Sequence, residues 1–145
     1  METLTLICSA IAIIISVIAI YQTKSINNIN LSASYYSKIF DLYLIERIPE
    51  TRQYLWFDSE GKLTHINKLS EVLADLKKDA LYFKYNNPNF YDELCKRTDF
   101  LEDYIMELAN ESTDASIQEE KKNKISVLIE DIYCCIDNSQ KGKLY

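Results

Sequence analysis

Backbone breakers are scarce in this chain: two glycines and two prolines stand among 145 residues. With so few places where the backbone must break, and with long stretches at helical period, the expected fold is all-α. Gly61 and Gly142 are isolated, so no Gly-rich phosphate loop is present. Histidine is rarer still. A Cys-His pair, a Ser-His-Asp triad or a multi-histidine zinc site would each have to use His65, the only one. It follows a turn at an expected helix start, where a solvated imidazole is commonplace. No arginine precedes it by four to six residues, which removes the ribonuclease motif of many helical bundles.

Positive charge is missing at the N-terminus, where Met1-Glu2-Thr3 precedes an uncharged run without Gly or Pro, Leu4 to Tyr21. At a rise of ~1.5 Å per residue, the run and its flanks approach the ~30 Å hydrocarbon thickness of a bilayer. A core helix would need polar positions every third or fourth residue. A cleaved signal peptide would need a basic leader and small residues at its exit. The only Ala-x-Ala triplet, Ala10-Ile11-Ala12, lies mid-run, and Tyr21-Gln22-Thr23 is a poor cleavage site. The segment therefore reads as a retained transmembrane helix. Lys24 and Lys38 follow it and no lysine precedes it, so the positive-inside rule expects a cytoplasmic C-terminal domain on the inner (cytoplasmic) membrane.

Glu2 is the only charge before the run, so the remainder has 16 basic and 21 acidic side chains, a net charge of −5. Nucleic acid and anionic headgroups need clustered Lys and Arg, so they are not expected partners. Cys8 lies in the apolar run, and Cys95, Cys134 and Cys135 show no disulfide spacing. Reduced thiols in a cytoplasmic setting fit best.

The first helix is expected to continue beyond the span. Ile26, Ile29, Ala33, Tyr36, Phe40 and Tyr43 alternate three- and four-residue steps, the a and d positions of a heptad. Ser9, Ala12, Ser16 and Ala19 use the same alternation, a small-residue stripe suited to close helix contact in lipid. Self-association along this ladder is one expectation; packing of its upper part against its own domain is the other. Ile48-Pro49 should end the helix, and Pro49 should open a short one through Trp56. After a turn at 58–62, helices are expected from His65 to Tyr85 and from about Phe90 to Ala109. The last should open on a capping box, Ser116-Ile117-Gln118-Glu119. The expected domains are a transmembrane helix (1–23), a helical stalk (24–47), a cytoplasmic helical bundle (48–138) and a flexible tail (139–145).

Chemistry is hard to find. Glu130 and Cys134 share a helix face, as do Asp131 and Cys135, but zinc sites combine spaced pairs, and only Cys95 could add to these. The cysteines read as small core residues. Asp92, Glu93, Asp99, Glu102, Asp103 and Glu107 recur on the fourth helix, and one helix cannot place carboxylates across a substrate. No catalytic residue, metal or cofactor is expected. Around Asn86-Asn87-Pro88-Asn89, five aromatics crowd one turn. Tyr82, Lys84, Tyr85, Asn86, Asn87, Asn89 and Tyr91 are candidates for partner contact, against an aromatic corner clamping two helices.

The Ile-rich run Ile11 to Ile20, the polar helical stretch Gln22 to Ser37 and the segment FYDEL (Phe90 to Leu94) resemble uncharacterised bacterial single-span membrane proteins with a small helical cytoplasmic domain. Some of those occur among phage-defence genes. The resemblance lies in architecture and implies a membrane-anchored effector or adaptor. Two functions are expected on this reading: a non-enzymatic interaction module that binds a protein partner and can form homo-oligomers, or an antiviral effector that perturbs the inner membrane on assembly.

Overall fold

The computed structural model describes residues 2–142, and the side chains of residue 9 and of residues 11–142. The fold is overwhelmingly helical, in the order α1 (Glu2–Ile39), a π-helix π1 (Phe40–Arg47), α2 (Ile48–Arg52), β1 (Trp56–Phe57), β2 (Leu63–Thr64), α3 (Ile66–Asp79), α4 (Leu81–Asn86), α5 (Pro88–Asn110) and α6 (Gln118–Lys141). It divides into two compact units, with the boundary between Ser34 and Tyr35. The first is the body of α1. Among the described residues no helix is long and apolar enough to cross a membrane; the side chains of residues 4–8 and 10, part of the expected span, lie outside that set.

The second unit holds the core. Leu69, Leu73 and Leu76 of α3, Leu94, Leu101 and Ile105 of α5, and Ile132 and Ile136 of α6 are fully buried, each set at the three-, four- or seven-residue steps of an amphipathic helix. α5 and α6 run antiparallel, so that Arg97 sits beside Asp131. Lys77 reaches from α3 to Asp99 and Glu102 at 2.7 and 3.2 Å, which ties two of the α5 carboxylates to a neighbouring helix.

Helix continues through Pro49, contrary to the sequence expectation. Ile48 stays in the right-handed region at φ −68°, ψ −48°, and its N–H donates to the Tyr43 carbonyl five residues back. In an α-helix the proline ring would strike the carbonyl four residues earlier, that of Ile45. The wider π-turn opens the coil there, and burial of Ile48 at 0% exposure favours keeping it in place. Thr51 then donates its hydroxyl to the Arg47 and Ile48 carbonyls at 3.0 and 3.1 Å. Arg47 fixes the π-helix to α3 through Asp75 at 2.7 Å.

The short helix expected through Trp56 stops at Arg52, and Trp56 and Phe57 pair instead with Thr64 and Leu63 in a small antiparallel hairpin. Asp58 shapes its turn by accepting the Glu60 and Lys62 N–H groups, both at 2.9 Å. Gly61 lies at φ +77°, and the turn docks on the α5–α6 linker through Thr113 N–H to Gly61 O at 2.8 Å. A Cβ at Gly61 would lie 2.4 Å from the Thr113 carbonyl oxygen and 2.9 Å from its nitrogen. Gly61→Ala is therefore expected to destabilise the domain by ~2–4 kcal/mol, combining left-handed strain with an overlap that backbone must absorb. Thermal melting checks this, and an unchanged midpoint would show that the linker can move aside.

Two further expectations change. The single helix over His65–Tyr85 is two, since Ala80 is bent to φ −76°, ψ −3° between α3 and α4. The capping box does not form: α6 opens at Gln118 behind Ile117 with no side-chain cap, and Gln118 instead donates to the Thr113 carbonyl at 3.1 Å. α6 also runs to Lys141, three residues into the stretch expected as tail; residues 143–145 lie outside the described set.

Candidate functional site

The aromatic segment builds a corner within the second unit. Phe83, fully buried, lies 4.3 Å from the Tyr36 ring and edge-on to Phe90 at 5.0 Å, with Tyr36 to Phe90 at 5.1 Å. Tyr82 stacks on Tyr35 at 4.1 Å and 8°. Asn87 leaves helical geometry at φ −152°, ψ 71°, separating α4 from α5, and its side-chain amide donates to the Tyr36 hydroxyl at 3.0 Å. Burial pushes the Tyr36 phenol up from its ordinary pKa, and the Asn87 bond partly offsets this.

The candidate contact residues therefore divide. Tyr82, Asn87 and Tyr91 are half-buried and pack in the corner and on α5. Lys84, Tyr85, Asn86 and Asn89 remain exposed, Tyr85 at 84%. Clamping explains the crowding: an apolar ring cluster at this turn removes large rings from water while the asparagines satisfy the broken backbone.

The heptad ladder divides as well. Tyr36 and Tyr43 are 1% exposed and belong to the core, and Phe40 packs half-buried against it. They are fold residues and not an association surface, as the alternative of packing against the chain's own domain expected, because the core of the second unit covers their rings. Ser9, Ala12, Ser16, Ala19, Ile26, Ile29 and Ala33 lie in the first unit. There the Ser16 and Thr23 hydroxyls donate to carbonyls four residues back, both at 2.8 Å, so these hydroxyls are satisfied within the helix.

Tyr43 also ties π1 to α3, donating to the Asp79 carboxylate at 2.9 Å. Its pKa is raised to about 12, first by burial and then by Asp79. The folded state thus holds this proton more tightly than the unfolded chain, whose phenol titrates near ~10. The associated stability is present below about pH 10 and is lost as pH rises through about 12. Alkaline denaturation should begin above about pH 10 and be blunted in Tyr43→Phe, with denaturant midpoints followed across that range.

On α5 and α6, Arg97 is held by three contacts to two residues. Nε donates to Glu93 at 2.9 Å, Nη2 contacts the same carboxylate at 2.8 Å, and Nη1 donates to the Asp131 carbonyl at 3.2 Å. Cys135 is 8% exposed, and burial raises its thiol pKa to about 11, so it is protonated and unreactive at neutral pH. Cys134, its neighbour, is exposed. Among the described residues no group of three or more His, Cys, Asp and Glu side chains could hold a metal ion. His65 is exposed in left-handed geometry at φ 61°, with Nδ1 3.1 Å from the Thr64 hydroxyl and its ring edge-on to Trp56 at 5.4 Å.

Sequence reasoning missed one side chain. Phe100 is 65% exposed and walls a cleft of about 290 Å³ shared with Glu93, Lys96, Arg97, Leu128 and Asp131. The signal was readable: Phe100 falls one residue off the buried Leu94–Leu101–Leu108 stripe.

No family model, no curated protein and no solved structure matches the chain.

Proposed function

We propose that this protein is a membrane-anchored helical interaction module, held to the inner membrane by α1 and engaging a protein partner through its acidic helical domain. One observation carries the reading. Ile11, Ile13, Ile14, Ile15, Val17, Ile18, Ile20 and Tyr21 are each at least 51% exposed. At 3.6 residues per turn they cover roughly three-fifths of the helix circumference, and the uncharged small residues Ala12, Ser16 and Ala19 fill the rest; a helix with no charged side needs an apolar solvent. Continued back to Leu4 the run has 18 residues, about 27 Å of helix. The basic residues Lys24 and Lys38, both after it, favour a cytoplasmic domain. The buried Cys135 thiol, protonated at neutral pH, supports a role in binding over one in catalysis.

Alkaline carbonate extraction of cells expressing the full chain tests the anchor, and protease added to intact and inverted vesicles tests its orientation. The protein should stay in the pellet and be digested only in inverted vesicles. Recovery in the alkaline supernatant would reject anchoring, and digestion in intact cells would reject the orientation. Dye leakage from the expressing cells would favour the effector reading over the module.

A further inference from the structure

We infer that π1 is a two-register joint locked from α6, in which the Tyr133 hydroxyl stands in for the backbone N–H that Pro49 lacks. The inference stands whether or not α1 anchors the chain, since π1 and α6 both belong to the second unit.

Backbone donors and acceptors around Pro49 pair differently in the two registers. In the observed π register each N–H reaches five residues back, as Ile48 does to Tyr43. The same step from residue 49 falls on Leu44, and proline has no N–H to give. Leu44 is 2% exposed, so water does not serve its carbonyl, and an unmade bond there carries a full desolvation penalty. Tyr133 of α6 supplies the missing donor: its hydroxyl donates to the Leu44 oxygen at 2.6 Å.

In an α register the step is four. Ile48 would then serve Leu44, and the acceptor left over would be Ile45, whose carbonyl the proline ring strikes. Ile45 is 64% exposed, so water can satisfy it, but the ring drives the chain out of the helix before Pro49. The π register thus places the orphaned carbonyl on the buried side, where Tyr133 waits.

Two other contacts hold π1 without choosing its register. Tyr43 to Asp79 and Arg47 to Asp75 run from side chain to side chain, and such pairs can follow a turn of the helix by changing rotamer. The Tyr133 bond comes from another helix and ends on the π1 backbone itself. It forms only while π1 keeps the five-residue step and α6 stays in place. α6 thereby sets whether the helix runs through Pro49 or stops before it, and a displacement of α6 becomes a change of register at π1.

The test is residue-resolved amide exchange of the full chain in detergent, for wild type, Tyr133→Phe, Pro49→Ala and the double variant. Tyr133→Phe keeps the ring and removes the donor. Exchange at residues 45–48 should rise about 10- to 100-fold relative to residues 101–108, the effect of a buried acceptor left unpaired. In the Pro49→Ala background the same change should raise it less than ~3-fold, because an alanine N–H gives the helix back the donor it lacks. A tyrosine that merely packs would have the same effect in both backgrounds. Equal increases in the two would therefore overturn the inference, as would no increase in Tyr133→Phe. If Tyr133→Phe fails to fold, the double variant decides. Folding recovered by Pro49→Ala supports the joint, and failure of both variants overturns it.

Discussion

Arginine at both Ile14 and Ile18 is expected to release the chain from membranes. The two positions are four apart on α1, on one side of the helix, and lie 59% and 51% exposed. An arginine near the centre of a spanning helix costs ~2.5–3.5 kcal/mol on insertion scales, so two cost ~5–7 kcal/mol. If α1 anchors the chain as proposed, the uncharged run Leu4 to Tyr21 would have to carry both arginines into hydrocarbon. Carbonate extraction should move the double variant from pellet to supernatant or to aggregates. The matched change Lys24→Ala should leave it in the pellet. Retention of the double arginine variant at wild-type level would mean that something other than α1 holds the protein to the membrane.

Phe83→Ala should be the most damaging single change in the second unit. Phe83 is fully buried and touches the rings of Tyr35, Tyr36, Tyr82 and Phe90 within 6.4 Å. Truncation removes its transfer free energy and leaves a cavity that four rings held in mutual contact cannot readily close, a loss of ~3–5 kcal/mol. Against a domain stability of ~5–15 kcal/mol, that lowers the melting temperature by roughly 10–20 °C. Phe83→Leu should recover most of it. The loss should also loosen the start of α5, because Tyr36 fixes Asn87 at the break before it. Amide exchange at residues 88–92 should therefore rise more than at 101–108. Equal protection in both would show that the corner does not hold the α5 start.

The helical character of this chain was legible in its composition, and most helix positions were legible in their periodicity. Leu69, Leu73 and Leu76, or Leu94, Leu101 and Ile105, repeat at a spacing that only a helix places on one face. The same reasoning found the Asn87-Pro88 break, because proline supplies a starting φ for α5 and no N–H. It failed at the hairpin, where two paired residues on each side are too short to show alternation, and at Pro49, where burial of Ile48 outweighed a local preference. The steps Tyr36, Phe40 and Tyr43 fit a stalk seam and a domain core equally well, because a heptad pattern does not say what covers it.

What the sequence determined by itself is the uncharged run Leu4 to Tyr21, the acidic balance of the remainder and the single histidine, since these depend on residue identity alone. Only the tertiary structure decided which aromatics are spent on the fold and which remain outside it. Tyr36, Tyr43 and Phe83 are in the core, while Phe100 and Tyr85 are exposed. The same ring chemistry serves either role, and long-range packing of α3, α5 and α6 chooses between them.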